Sequence, residues 1–392
     1  MSDHPSFSRR KILLAGGGLA VASIGSKPLV GDAPSLAAKD LTFLTTDPRN
    51  AEPALDKLVQ SWITPTKYFY VRSHAPNPVI EATDFELSVE GSVRKPTKFK
   101  LAKLLAMKNQ TVTATLTCAG NRRAEFNTEG KVGGVQWGPG AIGNATWTGI
   151  ALADVLKQCE VTDDAKHVWF EGLDEITKDD NVIPFGGSIP ISKAMQAGQT
   201  PGALLVHQMN DKPLSPDHGY PLRTVVPGYI GARSVKWLGK IVVSDRPSPN
   251  HYLATAYKIV KSTEAIDWTE SGPIYRYPIN AAIATPAPAA TLSAGEIDVT
   301  GYVLPTGRLG ARVSQIWVSS DNGASWTKAN MTGQDADYCW QLWRASVRVS
   351  NRSEQLIMRA EDSSGGFMPQ RVPWNAKGYL QNSWYRVPIQ VS

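Results

Sequence analysis

Several shortages bound what this 392-residue chain can be. Cysteine occurs only at 118, 159 and 339, an odd number, so at least one thiol is unpaired or does chemistry. No Cys-x-x-Cys-His occurs, which excludes covalently attached haem. Charged residues make up only 19%, and the net charge of +6 comes with no basic run, zinc-finger spacing or aromatic RNA-binding signature. Nucleic acid is therefore not an expected partner, whereas a small anion or an acidic protein surface is. No Gly-x-Gly-x-x-Gly opens a strand-to-helix turn and no phosphate-cradling loop is present, which disfavours dinucleotide and ATP chemistry. No apolar run approaches the length of a membrane span, so none is expected in the mature chain.

Glycine (33), proline (27) and tryptophan (12) are abundant, which favours a loop-rich, strand-rich architecture with room for two domains. The chain begins with a basic stretch, Ser8-Arg-Arg-Lys-Ile-Leu-Leu14, then small apolar residues to Ile24 and a small-residue site near Ser35-Leu-Ala37. The paired arginines resemble a twin-arginine export signal, so residues 1–37 are expected to be removed after Ala37 and the mature protein to reside in the periplasm.

Past an irregular segment with a helical patch at 53–60, Tyr68-Phe-Tyr-Val-Arg-Ser-His-Ala75 reads as an aromatic strand; Arg72 and His74, two apart, share a face if it is extended. Strands are expected at 85–91, 111–117, 168–174 and 203–209, with helices at 101–107 and 147–156 and a turn at 185–190. This mixture predicts an α+β domain. The strand at 111–117 leads into Thr115-Leu-Thr-Cys118-Ala-Gly-Asn-Arg-Arg123, which gathers a thiol and two guanidinium groups. A thiolate suits soft or borderline transition metals, and arginines beside it suit an oxyanion. A small buried core cysteine is the other reading of the same residues. The glycine-dense run 133–147 carries Trp137, placed to wall a pocket or simply to anchor a long loop. From Pro213 to Trp237, prolines and glycines fix a loop in which His218, Arg223, Arg233 and Lys236 gather donors. Tyr257 follows in His251-Tyr-Leu-Ala-Thr-Ala-Tyr257-Lys258.

Taken in order, these stretches resemble the sulfite oxidase family of molybdopterin enzymes, from about Tyr68 to about Pro388. The resemblance implies that Cys118 ligates molybdenum. It implies further that Arg72, His74, Arg123 and Tyr257 act on the substrate with Cys118, and that Trp137 shapes the substrate pocket. By the same correspondence, Tyr70, Val71, Arg72, Ser73, His74, Asp174, His218, Arg223, Ser234, Val235 and Lys236 contact the molybdopterin. An inserted stretch at 175–181 makes the register of Asp174 uncertain.

The alanine-proline run 282–291 is expected to be a linker between a catalytic domain at 38–281 and a second domain at 292–392. Short alternating strands at 297–303, 313–319, 340–347 and 355–361, separated by Asp-Asn-Gly and Ser-Gly-Gly turns, predict an all-β immunoglobulin-like sandwich. Ser320–Trp326 and Trp374–Asn382 resemble the family's dimerisation domain, which implies a homodimer. A pairing of Cys159 with Cys339 stays open but is disfavoured, because the two fall in different domains. The expected activity is oxidation of sulfite to sulfate, with no haem in this chain and electrons passed singly to a periplasmic c-type cytochrome. The alternatives are a sulfane-sulfur dehydrogenase subunit of a thiosulfate-oxidising system and a non-catalytic exported binding module.

Overall fold

Two antiparallel-rich sheets wrap one apolar core to make the frame that holds the site. The computed structural model describes residues 40–198, 200, 202–261, 268–269 and 271–392, so the export signal expected at 1–37 lies outside the described residues. In the first sheet the strands run in the order Gly186–Pro190, His167–Gly172, Leu238–Ser244, Glu86–Gly91, Thr97–Lys100; only the Leu238–Ser244 and Glu86–Gly91 pair is parallel. The second places Lys212–Pro213, Leu204–Met209, Ile142–Ala151 and Asn109–Thr117 side by side, with Arg223–Val225 also paired to Leu204–Val206. Leu87, Phe99, Ile150, Phe170, Leu205 and Ile241 are buried in the shared core. Removing such side chains from water is the main stabilising term, about 1.5–3 kcal/mol for each large one.

A smaller three-stranded sheet, Thr42–Thr46, Arg49–Glu52 and Val71–Arg72, is built from the segment that the sequence presented as irregular. It pairs Asn50 with Arg72 across two strands and so ties the N-terminal segment to the site.

Several expected elements differ. The run 147–156 is strand as far as Ala151, and the helix occupies Leu152–Cys159. The strand Ile142–Ala151 is buried along both faces, so its alternation is hidden, and Trp147 is fixed by its indole donating to Ala114 O at 3.0 Å. At 186–190 the chain is a strand paired with His167–Glu171 and not a turn. Its Gly186 is there for close approach, since a Cβ would come within 2.7 Å of Phe170 O.

The C-terminal domain is a β sandwich. One sheet runs Asn280–Thr285, Gly295–Leu304, Gln341–Val349, Asn330–Thr332; the other runs Ala290–Leu292, Tyr385–Val391, Gln355–Asp362, Val313–Ser319, Thr327–Lys328. Gln341–Val349 alternates buried and exposed residues over its second half, and Val299, Tyr302, Ile316, Trp343, Leu356 and Val387 fill the interior. The run 282–291 is therefore no linker: its two ends are strands of opposite sheets. Its alanines are small because they are packed. Ala281, Ala282, Ile283 and Ala284 are all buried, and Gly301 passes so close that a Cβ there would meet Ala282 O at 2.1 Å.

The sandwich is bonded to the catalytic domain. The Trp62 and Trp340 indoles donate to each other's carbonyls at 3.1 and 2.9 Å, and Thr115 takes bonds from and gives bonds to residues 338–340. All three cysteines are buried and unpaired, so the Cys159–Cys339 bridge is not formed. Among the described residues no helix is long and apolar enough to cross a membrane.

Candidate active site

The strand Asn109–Thr117 stops because the chain turns at Cys118, whose amide donates to Ala141 O at 2.9 Å. The turn closes on the Asn121 amide bonding Cys118 O at 3.0 Å and the Arg123 amide bonding Gly120 O at 2.9 Å. Arg122 takes a left-handed backbone, φ 66°, which throws the two arginines in different directions. Arg122 does not join the site. It forms a two-pronged pair with Glu125 at 2.7 Å, donates to Ala281 O and Ser383 O at 3.2 and 2.9 Å, and so pins the two domains together.

Cys118 opens instead onto a cleft. Tyr70, Arg72, Ser73, His74, Asp174, His218, Arg223, Ser234, Lys236 and Tyr257 line it with Cys118, as do Phe69, Phe185 and Trp237, which the sequence did not single out. Asp174 falls on the cleft despite the insertion after it, because residues 176–183 fold out as a separate hairpin and the Phe185 amide returns to Asp174 Oδ1 at 3.0 Å.

Four expected residues are not on the cleft wall. Val71 packs into a small cluster with Leu41 and Ala51. Val235 is core; its amide is taken by Thr224 Oγ1 at 2.7 Å and its carbonyl by the Thr224 amide at 2.9 Å. Both side chains point to the buried side of a strand-like run, so only backbone atoms of these two residues are available to a group in the cleft. Trp137 stands behind Tyr70, edge-on at 6.5 Å, wholly buried. Arg123 lies beyond the Cys118 turn, its Nη1 donating to Val135 O at 3.0 Å, but close enough that its charge bears on both His74 and Tyr257.

At one end of the cleft, Arg72 Nη2 meets His74 Nε2 at 2.7 Å and the Tyr257 hydroxyl meets the same nitrogen at 3.2 Å. Burial, reinforced by Arg72 and Lys236, drives the His74 pKa far below its usual value, so the ring is neutral. A guanidinium can only donate, which makes Nε2 the acceptor and puts the ring proton on Nδ1. Phe185 stacks on the imidazole at 4.5 Å and fixes its plane. Burial raises the Tyr257 pKa, partly opposed by Arg72, so its hydroxyl keeps its proton and remains a donor. Asn50 steadies Arg72: its Oδ1 accepts from Arg72 Nη1 and from the Ser73 amide, both at 3.1 Å.

At the other end the cations crowd together. Lys236 Nζ donates to Ser73 Oγ at 2.8 Å and Asp217 O at 2.9 Å, while burial and then Arg223 pull its pKa down to about 7. Arg223, lowered to about 10 by burial, donates to His218 O and Ser234 O at 2.9 and 3.1 Å. His218 is pushed down to about 3, mainly by burial and then by Arg223 and Lys236. Asp217 is buried and held by Arg49 at 3.0 Å and Asn77 at 2.8 Å, and its charge offsets part of the downward push on Lys236 and His218. Asp174 is raised by burial.

These donors call for an anion, and the buried Nε2 of His218, which makes no hydrogen bond, needs a partner. Among the described residues no three His, Cys, Asp or Glu side chains converge, so a metal beside Cys118 must take its other donors from a non-protein ligand. A flat, anionic, hydrogen-bonding group that brings its own sulfur or oxygen donors meets both needs.

Residues 74–252 match the family description "Oxidoreductase molybdopterin binding domain" and residues 271–392 match "Mo-co oxidoreductase dimerisation domain". The chain is 38% identical to a mitochondrial sulfite oxidase of Drosophila melanogaster, over 88% of this chain and 62% of that protein. It is 34% identical to the sulfite oxidase of Arabidopsis thaliana, over 88% of this chain and 92% of that one. The chain thus spans less than two thirds of the Drosophila relative but nearly all of the plant one. In fold it matches the crystal structure of the sulfane dehydrogenase SoxCD from Paracoccus pantotrophus, with a TM-score of 0.76 and 22% identity, covering 98% of this chain and 100% of that one. The chain therefore belongs to the sulfite oxidase family of molybdenum oxidoreductases, with Mo-molybdopterin as its cofactor, and this cleft has the donors such a group needs.

Proposed function

We propose that this chain is a sulfite dehydrogenase of the periplasm, oxidising sulfite to sulfate and releasing electrons one at a time to a c-type cytochrome. The observation that carries the reading is the meeting of one thiol, Cys118, with the Arg72–His74–Tyr257 cluster at one end of a cation-rich cleft. Cys118 would hold the metal, and His218, Arg223, Ser234 and Lys236, with Ser73, Asp174 and Tyr70, would hold the pterin and its phosphate. When bound, the Mo-molybdopterin supplies the two-electron sink and the oxygen-transfer chemistry.

The chain's own residues supply the rest. Arg72 binds the sulfite dianion by charge-assisted hydrogen bonds, which are about twice as strong as neutral ones, and Arg123, behind the Cys118 turn, adds its positive charge to the same end of the cleft. Tyr257, held protonated, donates to a sulfite oxygen, and neutral His74 takes up or passes a proton at Nε2 when Arg72 swings toward substrate. Trp137, by fixing Tyr70 from behind, shapes the pocket indirectly. The sandwich carries the dimerisation-domain match, which supports a homodimer formed through it.

The test mixes molybdenum-loaded protein with sulfite and oxidised cytochrome c. Reduction of the haem supports the proposal. Turnover confined to sulfane-sulfur substrates favours the thiosulfate-system alternative, and protein that takes up no stoichiometric molybdenum favours a binding module.

A further inference from the structure

Residues 374–380 of the C-terminal domain reach across to the Cys118 turn. The Leu380 amide donates to Ala119 O at 2.8 Å, next to the thiol, and the Ala376 amide donates to Val260 O at 2.9 Å. Trp374 anchors one end through its indole on Gly130 O at 2.9 Å. Asn375 rigidifies the loop, accepting the Tyr379 amide and donating to Tyr379 O, both at 3.0 Å. So tied, the loop presents the buried ring of Tyr379 to two residues of the site. It stacks on Tyr257 with centroids 5.2 Å apart and planes 13° from parallel, and the Arg123 guanidinium carbon lies 5.0 Å from its centroid.

Arg123 needs such a support. Its one side-chain hydrogen bond among the described residues is to Val135 O, its Nε is buried without a partner, and no carboxylate there pairs with it. What remains to hold the guanidinium flat is the face of an aromatic ring. Gly378 completes the fit: a Cβ there would come within 2.6 Å of Arg123 Cγ.

We propose that Tyr379 is a positioning residue that holds Arg123 and Tyr257 in register, so that oxyanion binding depends on this loop of the C-terminal domain; this rests on the sulfite reading above. The test compares Tyr379→Leu, Tyr379→Phe and Gly378→Ala in the full-length, molybdenum-loaded protein. Sulfite turnover is measured with an artificial one-electron acceptor, and sulfate binding by calorimetry. Loss of a buried cation–π and stacking contact should raise both the sulfite KM and the sulfate Kd about tenfold in Tyr379→Leu, with kcat changed less than about threefold and molybdenum content unaltered. Tyr379→Phe keeps the ring and should stay within about twofold of wild type in KM. Gly378→Ala, which presses on Arg123 while leaving the ring, should also raise KM and so serves if the leucine variant does not fold. Wild-type KM and Kd in both Tyr379→Leu and Gly378→Ala would overturn the inference, as would an equal loss in Tyr379→Phe and Tyr379→Leu. A wild-type protein that binds sulfate but does not oxidise sulfite would instead overturn the proposed activity, with the sulfate arm still deciding the role of Tyr379.

Discussion

Lys236→Met should make the cofactor-free protein more stable at pH 6 and at the same time less able to hold its cofactor. The folded Lys236 has its pKa lowered from 10.5 to about 7, chiefly by burial. At about 1.4 kcal/mol per unit, keeping that ammonium charged inside the fold costs about 5 kcal/mol. Below pH 7 the amine is charged in both folded and unfolded chains and the whole penalty applies. Between pH 7 and 10.5 the unfolded chain still binds the proton while the folded chain has released it, so stability rises with pH across that window. Methionine removes the penalty and the slope together. It also strips a donor from Asp217 O and Ser73 Oγ; the serine hydroxyl can rotate to another partner, so the stranded carbonyl sets the loss at about 1–3 kcal/mol, which leaves a net gain of about 2–4 kcal/mol at pH 6. An anionic cofactor group reverses the balance, because it pairs with the charged amine and draws a proton into the site. Urea midpoints of cofactor-free wild type and variant at pH 6 and pH 9, with molybdenum content after expression, provide the assay. A variant that is less stable at pH 6, or that keeps the wild-type rise toward pH 9, refutes the reasoning.

Arg122→Met should destabilise without touching the chemistry. It breaks a buried, two-pronged pair and strands two carbonyls at the domain junction, and because Glu125 is 34% exposed the loss is set at about 3 kcal/mol, read as a lower thermal midpoint with normal sulfite KM in the surviving protein. Asn50→Leu should lower sulfite kcat/KM about tenfold, since Arg72 and the Ser73 amide lose a shared acceptor, with molybdenum content close to wild type; unchanged kinetics would show that Arg72 does not depend on the N-terminal sheet. Arg123→Met should mainly raise the sulfite KM, and a change confined to kcat would remove it from the anion-binding role.

What the sequence made legible was chemistry concentrated in unbroken runs. Thr115–Arg123 and Pro213–Trp237 each bring their functional groups together over a few residues, so the cleft's thiol, histidine, arginine and lysine were all readable as a set. Arg72 and His74 were expected to share a face, and they meet, although the strand itself covers only Val71–Arg72. Contacts between distant segments carried no such signal. Asn50 reaches Arg72 only through the strand pairing of a segment whose composition looked irregular, and Tyr379 meets Tyr257 only because two domains dock. Burial on both faces erased the alternation around Trp147, and close packing gave the strand at 280–285 the alanine content of a flexible spacer. In the paired arginines, the left-handed backbone at Arg122 decided which one turned toward the site, a choice that side-chain identity alone does not encode.

On the proposed reading the Cys118 sulfur holds molybdenum at the Arg72–His74–Tyr257 end of the cleft. The most direct test is X-ray absorption at the molybdenum edge on wild type and Cys118→Ser, with sulfite turnover measured on the same samples. The variant should keep its fold and its pterin while losing one metal–sulfur contact and all sulfite oxidation. A Cys118→Ser protein with an unchanged metal spectrum and near-wild-type turnover would contradict it.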